Sequence, residues 1–197
     1  GGVIISSQIE IFSKELQKKG LNYYKKEFLP HLSQEIYDKP WISVFCYKET
    51  FEQIKEALLQ DTQKIYLVFQ HDIQGENIIN MPFLNILDYE KILYVCDGNI
   101  VRGENSLISA IVSKKPFLWD IYKEHNNAHT EKIEDFILFL KTFSQNNDYF
   151  EDFRAFNLSE DKAKVLKHIF SLHEKNMFHQ LSAYTYQNAH LLRKLKK

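Results

Sequence analysis

Between residues 41 and 121, short apolar runs alternate with stretches of helical periodicity, and this alternation constrains the fold more than any other feature of the chain. The runs are Trp41–Cys46, Lys64–Gln70, Ile78–Leu84, Asp97–Val101 and Pro116–Ile121. They have the length of strands, and their near-continuous apolar character suits strands covered on both faces. Pro82 interrupts the third run; proline cannot donate to a ladder, so that strand is expected at a sheet edge. Between the runs, Phe51, Ile54, Ala57 and Leu58 share one helical face, Tyr89–Cys96 turns Ile92, Leu93 and Val95 inward, and Ser106–Ser113 reads as a further helix. Strand and helix in alternation imply a parallel sheet with right-handed crossovers, a Rossmann-like α/β core over residues 40–145.

The flanks are helical. Ile9, Phe12, Leu16, Tyr24, Phe28 and Leu32 recur at three-to-four spacing, with Pro30 as interruption, which predicts two short helices or a helix and a loop. Beyond residue 128 the pattern predicts helices over 128–143, 148–156, 160–175 and 177–196, with Ser159 as an N-cap.

Several function classes are disfavoured. A net charge of −1 leaves no basic footprint for nucleic acid. No apolar run approaches the roughly 20 residues of a membrane span, so no membrane partner is expected. Cys46 and Cys96, the only cysteines, sit in apolar surroundings; this suits two reduced, buried thiols in a cytoplasmic protein, although two cysteines could also pair in a secreted one. The chain opens without a Met or a signal peptide and reads as a piece of something longer. His125 and His129 lie four apart but lack the carboxylate and third ligand of a metal site, so they read as surface histidines and no metal is expected.

In an open α/β sheet, ligands sit beyond the carboxyl ends of the strands where strand order reverses. With the order 3-2-1-4-5, that crevice opens between the first and fourth strands, and the segment after the fourth is Arg102-Gly103-Glu104-Asn105-Ser106. Gly103 lets backbone N–H groups at a helix start approach a diphosphate, and Arg102 can add a bidentate contact. Ser106, at the predicted helix start, can cap the helix or donate to phosphate. Glu104 is repelled by phosphate and fits better as an acceptor for sugar or ribose hydroxyls. The same residues also describe an ordinary strand-to-helix turn with a capping Ser and a solvated Arg–Glu pair. Tyr122, after the fifth strand, is a ligand contact or a half-buried strand-end tyrosine; Phe83 and Tyr89 sandwich a base or simply pack.

Longer matches run through Cys96-Asp97-Gly98-Asn99-Ile100-Val101-Arg102-Gly103-Glu104-Asn105-Ser106, then Lys115-Pro116-Phe117-Leu118-Trp119-Asp120-Ile121-Tyr122, then Asn127-Ala128-His129. In order and spacing they resemble the EarP family, the protein-arginine rhamnosyltransferases that modify elongation factor P. The family pattern is close to C-D-x-N-F-V-R-G-E-D-S, K/R-P-F-V-W-x-I-Y and D-A-H. Ser43–Tyr47 resembles its S-L-F-C-Y segment, Met81–Leu84 its L-P-F-L, and Gly1–Ile4 its G-G-L-L. The resemblance covers roughly residues 1–145 and continues weakly to Gln187–Ala189.

The resemblance implies the C-terminal, donor-binding half of a GT-B glycosyltransferase. The whole enzyme would move rhamnose from dTDP-β-L-rhamnose to an arginine of elongation factor P, inverting the anomeric centre with no metal or other cofactor. Residues 1–39 would be inter-domain helices, 40–145 the nucleotide-sugar-binding domain, and 146–197 C-terminal helices bracing an N-terminal domain that carries the catalytic aspartates. Arg102, Gly103, Asn105, Ser106 and Tyr122 would hold the diphosphate and sugar side, with Glu104 a possible catalytic group on the donor side, and Phe83 and Tyr89 near the base. On this reading Val165, Ile169, Leu172, Leu181, Tyr184 and Leu191 are expected to be partly uncovered. The chain departs from the pattern at Asn105 (Asp in the family), at Ile86 (Gln) and at Lys123-Glu124 (Pro-Gln). Two alternatives stay open: a GT-B domain for another nucleotide-sugar, and a non-enzymatic Rossmann-like binding module.

Overall fold

The computed structural model describes residues 6–123, 128–145, 147–159, 161–170 and 175–194. Three helices lead in: α1 (Ser7–Lys19), α2 (Leu21–Phe28) and α3 (Gln34–Asp38). The alternating core follows as β1 (Trp41–Val44), α4 (Lys48–Gln60), β2 (Ile65–Phe69), β3 (Ile78–Met81), α5 (Ile86–Val95), β4 (Gly98–Arg102), α6 (Gly103–Val112) and β5 (Phe117–Asp120). Then come α7 (Ala128–Leu140), α8 (Asn147–Leu158), α9 (Lys162–Ile169) and α10 (Lys175–Lys194).

The sheet runs β3-β2-β1-β4-β5 with every pair parallel, so strand order reverses between β1 and β4, the order from which the position of the crevice follows. Successive side chains of a strand point to opposite faces. Tyr66 and Val68 of β2 therefore join one core with α4 and α6–α10, while Ile65, Leu67 and Phe69 join the other with α1–α3 and α5. A buried polar pair pins the central register. Ser43 lies opposite Asn99 and donates its hydroxyl to the amide oxygen at 2.7 Å, and the Asn99 amide donates to Leu93 O at 3.1 Å. A one-residue slip would break both bonds and send each strand's apolar set to the wrong face.

The exposed side of edge strand β5 is closed by side chains of α8. Tyr149 Oη donates to Phe117 O at 2.7 Å, Asn157 Nδ2 to Trp119 O at 3.0 Å, and Ile121 N donates to Asn157 Oδ1 at 3.0 Å. Residues 117, 119 and 121 present their ladder groups on one side, so α8 stands in for a sixth strand.

Several expectations are corrected. The N-terminal segment forms three helices, because Gly20 takes a left-handed φ of 86° and breaks the segment ten residues before Pro30. Both α5 and α6 begin three residues earlier than the spacing predicts. Asn85 caps α5, accepting from Asp88 N at 2.9 Å, and the left-handed Gly103 turns the chain directly into α6. Ser106 is therefore inside the first turn of α6, not at its cap. Val165 and Leu181, expected to be partly uncovered, are buried in the core, since α9 packs on α4 and α10 on α6; Tyr184 is half-exposed. Ile169, Leu172 and Leu191 lie outside the described side chains. No helix among the described residues is long and apolar enough to cross a membrane.

Candidate functional site

A cleft of about 770 Å³ opens at the carboxyl ends of the strands, beside the reversal point. Phe45 and Gln70, directly after β1 and β2, line it together with Met81, the last residue of β3, and Pro82–Leu84 after it, Ile86, Tyr89 and Glu90 of α5, and Asn105, Ser106 and Ser109 of α6.

The β4–α6 junction borders it: Asn105 and Ser106 line the cleft, whereas Arg102 and Gly103 are not among its lining residues, and Arg102 meets it through Gln70 and Phe45. Arg102 closes β4 in extended conformation, and Gly103 follows at φ 66°. A Cβ on Gly103 would meet nothing within 4 Å, so it is backbone conformation, not space, that selects glycine here. Arg102 is the N-cap and no side chain caps α6, which leaves the first-turn N–H groups and the positive pole of the helix available to an anion. The Arg102 guanidinium lies 4.4 Å from the Phe45 ring centroid and 5.1 Å from that of Tyr47. It donates to Cys46 O at 3.4 Å and to Gln70 Oε1. Among the described residues no carboxylate pairs with it, so its charge is held by aromatic faces and neutral acceptors without being cancelled.

The other candidates divide. Asn105 and Ser106 line the cleft, as do Phe83 and Tyr89. Tyr89 packs edge-on against Phe45 (5.5 Å) and Phe69 (5.3 Å) and forms part of the floor. Burial raises the pKa of its hydroxyl; Ser106 lies near enough to oppose that shift, although the two do not reach hydrogen-bond geometry. Phe83 is 92% exposed and Ile86 80% exposed, which makes an apolar mouth. Glu104 is not brought to the cleft. It is exposed and pairs with Lys132 of α7 at 3.1 Å, so the solvated pair at this turn is Glu104–Lys132, not Arg102–Glu104. Tyr122 is also outside the lining and meets the site through Tyr47, ring centroids 5.4 Å apart. His129, the second residue of α7, is partly buried instead of lying on the surface as expected, while His125 and Asn127 lie outside the described residues. Among the described residues no three His, Cys, Asp or Glu side chains gather to hold a metal ion.

Residue-by-residue reading misses Phe45, Tyr47 and Gln70. The signal for Gln70 is slight, a polar residue ending an apolar run. It also misses what holds Tyr47. Buried Asp120, closing β5, accepts from Tyr47 N at 2.7 Å and from Thr50 Oγ1 at 2.8 Å, fixing the start of α4. Burial raises the Asp120 pKa against those two bonds and the nearby Lys162 charge.

Lys162 is itself buried and donates to Phe156 O. Burial pushes its ammonium down to about 8 from 10.5, with Asp120 opposing the shift. Between those values the unfolded chain carries a proton that the folded chain has released, so stability from this group rises with pH. From about pH 7.5 to about pH 9.5, urea unfolding should show the wild type gaining roughly 2 kcal/mol relative to Lys162→Met. Parallel pH profiles for the two proteins would refute the assignment.

Comparison with known proteins places this architecture. The family model described as Elongation-Factor P (EF-P) rhamnosyltransferase EarP matches residues 73–197. A protein-arginine rhamnosyltransferase of Pseudomonas putida is 44% identical over 57 residues, 29% of this chain and 15% of the relative. One from Neisseria meningitidis is 34% identical over 59 residues, 30% of this chain and 15% of the relative. The aligned segments thus span well under a fifth of these relatives' length. A solved structure concerning EarP-mediated arginine glycosylation of translation elongation factor EF-P superposes with a TM-score of 0.70 at 20% identity, over 95% of this chain and 68% of that one. It shares the fold. With the family match running from β3 to the end of the chain, over the cleft's α5 and α6 walls, the chain belongs to the EarP family of EF-P rhamnosyltransferases.

Proposed function

We propose that the chain is the donor-binding part of an inverting protein-arginine rhamnosyltransferase, holding dTDP-β-L-rhamnose for transfer to an arginine of elongation factor P. The observation that carries this reading is a cleft with two unlike ends: at one, Asn105 and Ser106 of the uncapped start of α6, with the Arg102 guanidinium in contact with the lining residues Gln70 and Phe45; at the other, an aromatic and apolar mouth. A diphosphate suits the first end and a flat base the second. Inverting transfer needs the departing diphosphate's charge stabilised as it develops, and preorganised backbone N–H groups with a guanidinium do this without a metal. The base that activates the arginine acceptor is expected, from the family resemblance, on a second domain carrying catalytic aspartates; domain closure would bring the two together. On this reading residues 146–197 also brace that second domain, and Glu104 and Tyr122 meet the donor only on closure. The reading places the protein in the cytoplasm, where two buried unpaired thiols stay reduced.

Titration calorimetry with dTDP and dTDP-β-L-rhamnose tests the proposal. Binding at about 1–100 μM is expected, or −8 to −5.5 kcal/mol on the usual conversion. Absence of heat with either ligand at millimolar concentration overturns it. One observation favours a second reading, in which the nucleobase is not thymine: exposed Ile86 at the mouth offers no hydrogen bond to a base edge. UDP, GDP and ADP in the same titration decide between the two.

A further inference from the structure

Gln70 combines two features that packing alone does not explain. It directly follows β2 with a left-handed φ of 63°, a conformation that costs a side chain with a Cβ. It is also exposed, so burial of its side chain does not offset that cost. What the conformation achieves is the placement of its amide: Gln70 lines the cleft and accepts from Arg102. A guanidinium has only donors, so the amide oxygen must be the atom facing it, and Nε2 is left with two N–H groups and no partner among the described residues.

We infer that Gln70 is the positioning residue for Arg102 and itself offers hydrogen bonds to the ligand's phosphate oxygens, an inference that rests on the donor-site reading. A neutral acceptor is required for this. A carboxylate at position 70 would orient the guanidinium equally well but would cancel its charge and repel a diphosphate. The backbone strain is retained because it points this amide at Arg102, in keeping with the concentration of such outliers at ligand sites.

Substitution by glycine separates a role in ligand binding from a purely structural one. Gln70→Gly relaxes the left-handed backbone and removes the amide, so its thermal midpoint should equal or exceed the wild type's while its Kd for dTDP weakens about tenfold, the loss of one or two hydrogen bonds to charged groups. Gln70→Glu should weaken dTDP binding further, by about 50-fold, and the deficit should shrink as salt screens the added charge. A residue with only a structural role would show the opposite pattern, with binding unchanged in Gln70→Gly. If the wild type binds dTDP and both variants bind within twofold of it, the inference is wrong and the donor-site reading stands. If the wild type does not bind, both fall together.

Discussion

Replacing Arg102 with alanine is expected to weaken dTDP binding about 100-fold, near 2.7 kcal/mol, with little loss of stability. The guanidinium makes two hydrogen bonds within the protein, to Cys46 O and Gln70, and rests on Phe45 and Tyr47. Its remaining N–H donors, with no carboxylate partner among the described residues, are what a diphosphate would engage. The packing that alanine loses lies at a partly exposed position and should cost about 1 kcal/mol or less of folding stability. Arg102→Lys keeps the charge but not the planar fork, and should recover only part of the affinity, remaining about tenfold weaker than wild type. Calorimetry on all three proteins, repeated at low and high salt, gives the readout: the wild-type advantage should narrow with salt as screening takes hold. An alanine variant that binds dTDP as tightly as the wild type would remove Arg102 from the site.

How far the sequence reveals this site depends on the range of the interaction that makes each part. The strands themselves are legible because burial on both faces leaves its mark in each strand separately: β1, β2 and β5 are buried at every residue, and Pro82 marks the β3 edge. The identity of the β4–α6 junction is legible for the same reason, since Arg102 and Gly103 are adjacent. Its exact geometry is not. Ser106 has the chemistry of an N-cap, and reading it so delays α6 by a turn; the left-handed Gly103 overrides that preference. The Gln70–Arg102 contact spans 32 residues, the Asp120–Tyr47 bond 73, and neither is marked by any local pattern. The direction of Glu104 is equally opaque, because its partner Lys132 belongs to a helix two elements further on. Coverage of Val165 and Leu181 is a matter of which helices pack against which, and amphipathic spacing alone does not say.

The largest effect on stability is expected from Asn157→Ala, at about 4 kcal/mol. Asn157 is buried, and its amide bonds Trp119 O, Phe153 O and Ile121 N, all within 3.1 Å. Phe153 O retains its helical partner when the side chain is cut back. The Trp119 carbonyl and the Ile121 N–H do not, and each buried group left unsatisfied costs about 1–3 kcal/mol, to which the small cavity adds. For a chain of this size that corresponds to a fall in thermal midpoint of roughly 8–16 °C. Asn157→Asp distinguishes this account from simple loss of volume. The carboxylate still accepts from Ile121 N but cannot donate to Trp119 O, so at neutral pH it should be at least as damaging as alanine; in acid, protonation restores a donor and part of the loss should be recovered. A midpoint within about 2 °C of wild type for Asn157→Ala would show that water or relaxation replaces the amide. The consequence reaches the cleft, because Asp120 lies between the two β5 groups that Asn157 holds and itself clamps Tyr47 against Arg102. Loosening the end of β5 should therefore weaken dTDP binding several-fold at temperatures where the variant remains folded. A smaller effect than that of Arg102→Ala is expected, since the guanidinium keeps Gln70 and Phe45 even when Tyr47 is free to move.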